Sequence, residues 1–161
     1  MLNKWIKFLM VPAVALSLSA CGINSVPTAE ENAKAKWADV ESSYQRRADL
    51  IPNLVETVKG FATQEQDTLT AVVEARAKAT SIQLDADDLD DPAKVQQYAA
   101  AQGALSQGLG RLLATVEAYP ELKSNQNFLA LQSQLEGTEN RINVARRDLS
   151  LIHISEPTRP Y

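Results

Sequence analysis

Apolar side chains recur at alternating spacings of three and four along most of this chain, a pattern that only long, mutually packed helices can bury. Trp37, Val40, Tyr44, Arg47 and Ile51 open the series, and Leu54, Val58, Phe61, Glu65, Thr68 and Val72 continue it. Val95, Tyr98, Gln102, Leu105, Leu109, Leu112 and Val116 repeat it, as do Phe128, Leu131, Leu135, Thr138, Ile142 and Ala145. A mean spacing of 3.5 falls just short of one α-helical turn. Helices that keep such a stripe buried therefore run nearly parallel, interlock knobs into holes and coil left-handed. No segment shows the period-two alternation of a strand.

The breaks in the pattern count the helices. Thr28-Ala29-Glu30-Glu31 has the form of a capping box and predicts a helix start. Asp91 and Pro92 follow an acidic stretch as an N-cap and a first helical residue, and Pro120 biases Tyr119 away from helical geometry. Pro52 is the ambiguous one. In a helix interior it would forfeit the hydrogen bond to the Ala48 carbonyl, at a cost of about 3 kcal/mol. A turn at Asp49–Pro52, with Asp49 as the cap, avoids that loss and gives four helices of similar length, whereas the unbroken heptad register argues for one long helix kinked at Pro52; periodicity alone does not decide between them, and comparable helix lengths favour the turn. The expectation is all-α: an antiparallel, up-and-down four-helix bundle with left-handed, heptad-like packing.

Both ends fall outside this pattern. Residues 1–20 have a basic start, a short apolar run and Leu-Ser-Ala before Cys21, the form of a lipoprotein signal peptide whose cleavage leaves Cys21 to carry lipid. The apolar run is too short to span about 30 Å of hydrocarbon. Gly22, rather than aspartate, follows the cysteine, which favours the periplasmic face of the outer membrane. Residues 21–27 read as a linker and 28–148 as the bundle. Residues 149–161 (LSLIHISEPTRPY) resemble the conceptual translation of a sequencing adapter; they are expected to make no specific contacts and to leave the fourth helix truncated.

Composition narrows the chemistry. With one histidine, one cysteine and a net charge of −4, the chain lacks the basic surface of a nucleic-acid binder. The cysteine is committed to lipid, and the histidine, His153, lies in the adapter-like tail. Ser-His-Asp and Cys-His nucleophile sets therefore find no base. Glu56, Glu65, Glu74, Glu117, Glu136 and Glu139 invite a dimetal reading, but bundle di-iron centres require Glu-x-x-His on two helices. The acidic run before Pro92 lacks the sixth-position glycine and twelfth-position glutamate of a calcium loop. No cofactor is expected. Arg47, Glu65 and Gln102 sit at core spacing and Arg76 continues an inward row from Leu69; polar residues there lie at bundle ends or pair to fix register. Gly103, Gly108 and Gly110 are expected to let a neighbouring helix approach closely.

RRADLIPNLVETVKG, EARAKA (74–79), EAYPELK (117–123), FLALQSQLEGTENRI (128–142) and NVARRD (143–148) resemble, in order, the motifs of the LemA family, which includes a magnetosome-associated branch. The resemblance implies an antiparallel four-helix bundle held outside the cytoplasmic membrane, with no established biochemical activity. It also marks Arg46, Arg47, Asp49, Pro52, Asn53, Glu74, Arg76, Glu117, Tyr119, Pro120, Glu139, Asn140 and Arg141 as motif or structural residues. The expected role is a non-enzymatic scaffold or adaptor of the bacterial envelope, anchored in the membrane by its N-terminal lipid, with an unidentified envelope protein as partner and no nucleic acid. The alternative is an accessory subunit of an envelope enzyme such as a membrane protease, or an enzyme using carboxylates alone.

Overall fold

The computed structural model describes residues 25–155, so the expected signal sequence and Cys21 lie outside the described residues. The described residues form α-helices α1 (Ser25–Lys59), α2 (Gln66–Ser81), α3 (Pro92–Val116), the single turn α4 (Pro120–Lys123) and α5 (Gln126–Ser155), with a 3-10 turn at Ala86–Asp88 and no strand. The four long helices form the antiparallel bundle. Arg47 of α1 meets Glu139 of α5, and Lys36 meets Asp148, so those two helices run in opposite directions. Val72 lies against Gly108, and Ala79 against Gln102, which sets α2 antiparallel to α3. At Gly108 a Cβ would meet Val72 at 3.6 Å, whereas Gly103 and Gly110 face open space. Only Gly108 of the three marks a close neighbour.

The expected turn at Asp49–Pro52 does not occur: α1 runs through Pro52 without a break. Two features make that tolerable. The proline ring lies on the exposed face of α1. The Ala48 carbonyl, left without its intrahelical donor, accepts a hydrogen bond from Arg76 Nε at 2.7 Å. Asp49 is accordingly no cap; it is exposed and accepts from Gln45 Nε2, four residues back. At the other end α1 is already helical at Ser25, which places Thr28–Glu31 inside the helix.

The chain reverses instead at Gly60–Glu65, where Gly60 N–H reaches Glu56 and the N–H groups of both Phe61 and Ala62 reach Val58. That reversal moves the register by one residue at two positions, while Val72 stays buried where the stripe predicts it. Ala62 and Leu69 are buried where the stripe predicts Phe61 and Thr68, and Phe61 is exposed. Asp91 caps α3 as expected, its Oδ1 accepting from the N–H groups of Ala93 and Lys94, and Pro120 is the first residue of α4. The α5 helix continues past Asp148 to Ser155, and Leu149, one more step of the stripe beyond Ala145, packs against the Trp37 cluster. The adapter-like segment therefore does make a specific contact, at least through Leu149.

Packing divides the core in two. A distal cluster gathers Ile51, Leu54 and Val58, Leu69 and Val72, Leu105, Leu109 and Leu112, and Phe128 and Leu135. A proximal one, nearer the start of α1, gathers Trp37, Val40, Tyr44, Leu84, Tyr98, Ile142 and Ala145. Each fully buried Leu or Ile contributes about 1.5–3 kcal/mol, so the distal cluster carries most of the apolar stabilisation.

Pro52→Ala should stabilise the fold by about 1–2 kcal/mol, less than the usual penalty of an interior proline, because Arg76 already satisfies Ala48 and the freer unfolded chain opposes the gain. Arg76→Ala should destabilise by about 1–3 kcal/mol, and by clearly less when Pro52→Ala is present to supply the missing N–H. Urea denaturation of the two single variants and the double variant checks both signs; additive effects would contradict the shared carbonyl.

Candidate functional site

Between the two apolar clusters lies one polar layer, centred on Arg47. Its side chain is 1% exposed, yet a lone buried guanidinium is strongly disfavoured, so its partners matter more than its position. Nη1 donates to Glu139 Oε1 of α5 and to Ser106 Oγ of α3, both at 2.6 Å. Nη2 donates to Gln102 of α3, at 2.6 Å to Oε1 and 3.2 Å to the main-chain oxygen. Gln102 passes the chain on, its Nε2 lying 3.4 Å from the Ala79 carbonyl of α2. One guanidinium thus links all four long helices. Its plane also lies near the Tyr44 ring, 5.0 Å from Cζ to centroid, and only Nε lacks a partner.

The proximal side of this layer is aromatic. Tyr98 meets Trp37 edge-on with centroids 5.5 Å apart and Tyr44 at 5.6 Å. Trp37 Nε1 donates to the Leu84 carbonyl at 2.9 Å. Burial pushes the Tyr98 pKa up to about 12, with Tyr44 and Glu41 adding to the rise and Gln102 and Arg47 opposing it. A cavity of about 110 Å³ opens beside this group, among Tyr44, Tyr98, Gln102, Glu41, Thr80 and Gln83.

The motif residues separate into inward and outward sets. Inward are Arg47 and Glu139 in the layer and Arg76 on the Ala48 carbonyl. Tyr119 belongs with them, its hydroxyl donating to Glu65 Oε1 at 3.0 Å to tie the distal turns; that bond to Glu65, then burial, raises its pKa. Glu117 pairs with Lys123 across α4 on the surface. Arg46, Asn53, Glu74, Asn140 and Arg141 are exposed. Asn53 takes part locally, its carbonyl accepting from Thr57 Oγ1. Two participants escaped the sequence reading. Ser106 lies one residue off the apolar stripe, and the Leu84 carbonyl is a main-chain acceptor with no residue signature.

The six glutamates considered for a metal do not converge. Among the described residues, no group of three His, Cys, Asp or Glu side chains is placed to hold an ion. Around the cavity Glu41 is the one carboxylate.

Tyr98 gives a pH signature. Its folded pKa lies above the unfolded value near 10, so the stability it contributes is complete below pH 10 and is lost as the pH rises toward 12. Urea midpoints should therefore fall between pH 9.5 and about 11.5 in the wild type, and fall less steeply in Tyr98→Phe. Equal slopes in both proteins would show that Tyr98 is not the group responsible.

Comparison with known proteins adds the family. The model of the LemA family matches residues 36–151. Magnetosome protein MamQ 2 of Paramagnetospirillum magneticum is 27% identical over 141 residues, covering 78% of this chain and 52% of the relative. Magnetosome protein MamQ of Magnetospirillum gryphiswaldense is 27% identical over 143 residues, with coverages of 79% and 53%. Protein LemA of Metamycoplasma hominis is 22% identical over 123 residues, with coverages of 76% and 52%. The chain spans about half the length of the curated relatives it matches.

Proposed function

The chain belongs to the LemA family, and from that premise we propose that it is a non-enzymatic scaffold or adaptor, tethered to a bacterial envelope membrane by lipid on Cys21. The observation that carries this reading is how the inward motif residues are used. Arg47, Arg76, Glu139 and Tyr119 are each bonded to another helix or turn of the bundle, and none of the four lines the cavity beside Tyr44 and Tyr98. An enzyme built on carboxylates needs two of them convergent, with one pKa raised. The hydrogen bond from Lys94 holds the surface carboxyl of Asp88 below the usual carboxylate range.

No helix among the described residues is long and apolar enough to cross a membrane. Start and finish of the bundle share one end, since Lys36 of α1 meets Asp148 of α5. The distal turns around Phe61 and Tyr119 lie about 50 Å from that end, by the length of the 35-residue α1, and the exposed Arg46, Asn53, Glu74, Asn140 and Arg141 face the surroundings.

Cys21→Ser should abolish fatty-acid labelling and leave an uncleaved precursor; unchanged labelling and mobility would refute the lipid anchor. Cross-linking and capture of the lipidated protein from its own envelope should recover one stoichiometric envelope protein. Arg46→Glu with Arg141→Glu should lose that partner without moving the melting temperature. Recovery of nothing beyond the Cys21→Ser control would overturn the adaptor reading.

A further inference from the structure

We propose that the connection Ile82–Asp91 is a hinged lid over the cavity beside Tyr44 and Tyr98, opening while the four long helices remain packed. Ile82, Gln83 and Leu84 form one wall of that cavity, opposite Glu41, Tyr44 and Gln45 of α1 and Tyr98 and Gln102 of α3. Tyr44, Tyr98 and Gln102, all more than nine-tenths buried, are the polar groups that opening would uncover.

The construction of the segment permits it to move as a unit. Between Asp85 and Asp91 its N–H groups bond within the segment: Asp88 to Asp85, Leu89 to Ala86 and Asp91 to Asp88. Asp91 is the fixed end, its carbonyl accepting from Val95 N–H and its carboxylate from Ala93 and Lys94 N–H, with Asp88 paired to Lys94 Nζ beside it, so a swing about Asp91 keeps the hydrogen bonds of α3. The points at which it would pivot are those where the backbone leaves helical geometry. Ile82, directly after α2, is extended (φ −92°, ψ 112°), as are Asp85 (φ −74°, ψ 160°) and Asp91 (φ −97°, ψ 102°), at the entry to α3.

Two polar contacts hold it shut against α1. Trp37 Nε1 donates to the Leu84 carbonyl, and Lys34 Nζ lies 3.3 Å from Asp87 Oδ1. The second is exposed and weak, as surface ion pairs are. The first is buried, and Leu84 beside it is seated on the Trp37 cluster. Lid opening is thus a partial, local event, less costly than unfolding α1, which is tied to three other helices through Arg47.

The Trp37 indole N–H reports the motion directly, because it is released when the lid lifts but α1 keeps its own amides bonded. In the full chain, followed by amide and indole hydrogen exchange with NMR detection, the Trp37 indole should exchange at least about tenfold faster than the α1 amides of residues 40–48. Asp87→Ala, an exposed change, should speed the indole about twofold to fivefold and leave those amides unaltered. Indole and amides exchanging together would overturn the lid, since both would then wait for global unfolding. Equal acceleration of both by Asp87→Ala, or no acceleration of the indole, would overturn it as well.

Discussion

A charge held inside the bundle is the constraint around which the rest is arranged. A guanidinium keeps its charge inside a protein, and burying that of Arg47 unpaired would cost more than several leucines contribute. Its acceptors must therefore come from the neighbouring helices at fixed heights: Glu139 from α5, and Gln102 with Ser106 from α3. Apolar stripes alone allow two helices to slide by a heptad with little loss of burial. A guanidinium with directional partners on two of them does not. The layer thereby sets the alignment that the distal Leu, Ile and Val residues then fill, and it separates them from the aromatic cluster near the start of α1.

The same logic explains the proline. Pro52 removes a donor from inside a long helix, and the fold answers with a donor from another helix, Arg76, rather than with a turn. A defect in secondary structure thus becomes a tertiary bond between α1 and α2, one residue along from the Arg47 layer. Exposure of the proline ring keeps the remaining steric cost on the solvent side, where α1 has room to relax.

Patterns governed by neighbours in sequence were readable. Heptad spacing gives the helical class and most of the buried positions, and Asp91–Pro92 gives the start of α3, because capping involves groups two and three residues apart. Events decided by distant groups were not. Whether α1 breaks at Pro52 depends on Arg76, 24 positions away, and local rules favour the break. The one-residue shift from Phe61 to Ala62 follows from the geometry of the Gly60–Glu65 reversal, which a continuous stripe conceals. Arg47 and Gln102 stood out as polar residues at core spacing, while their partner Ser106 sits off the stripe and carried no such mark. Leu149 kept the spacing of the stripe even though its surroundings resemble foreign sequence.

The most direct measurement of the central role of Arg47 is the stability of Glu139→Leu, Arg47→Met and the two combined, by denaturant titration. Removing Glu139 strands a buried cation, whereas removing Arg47 leaves a carboxylate 38% exposed that water can reach. Glu139→Leu should therefore be the most damaging, by about 3 kcal/mol, and adding Arg47→Met to it should restore stability rather than lower it further. Losses that simply add, or a Glu139→Leu protein as stable as the wild type, would contradict the account.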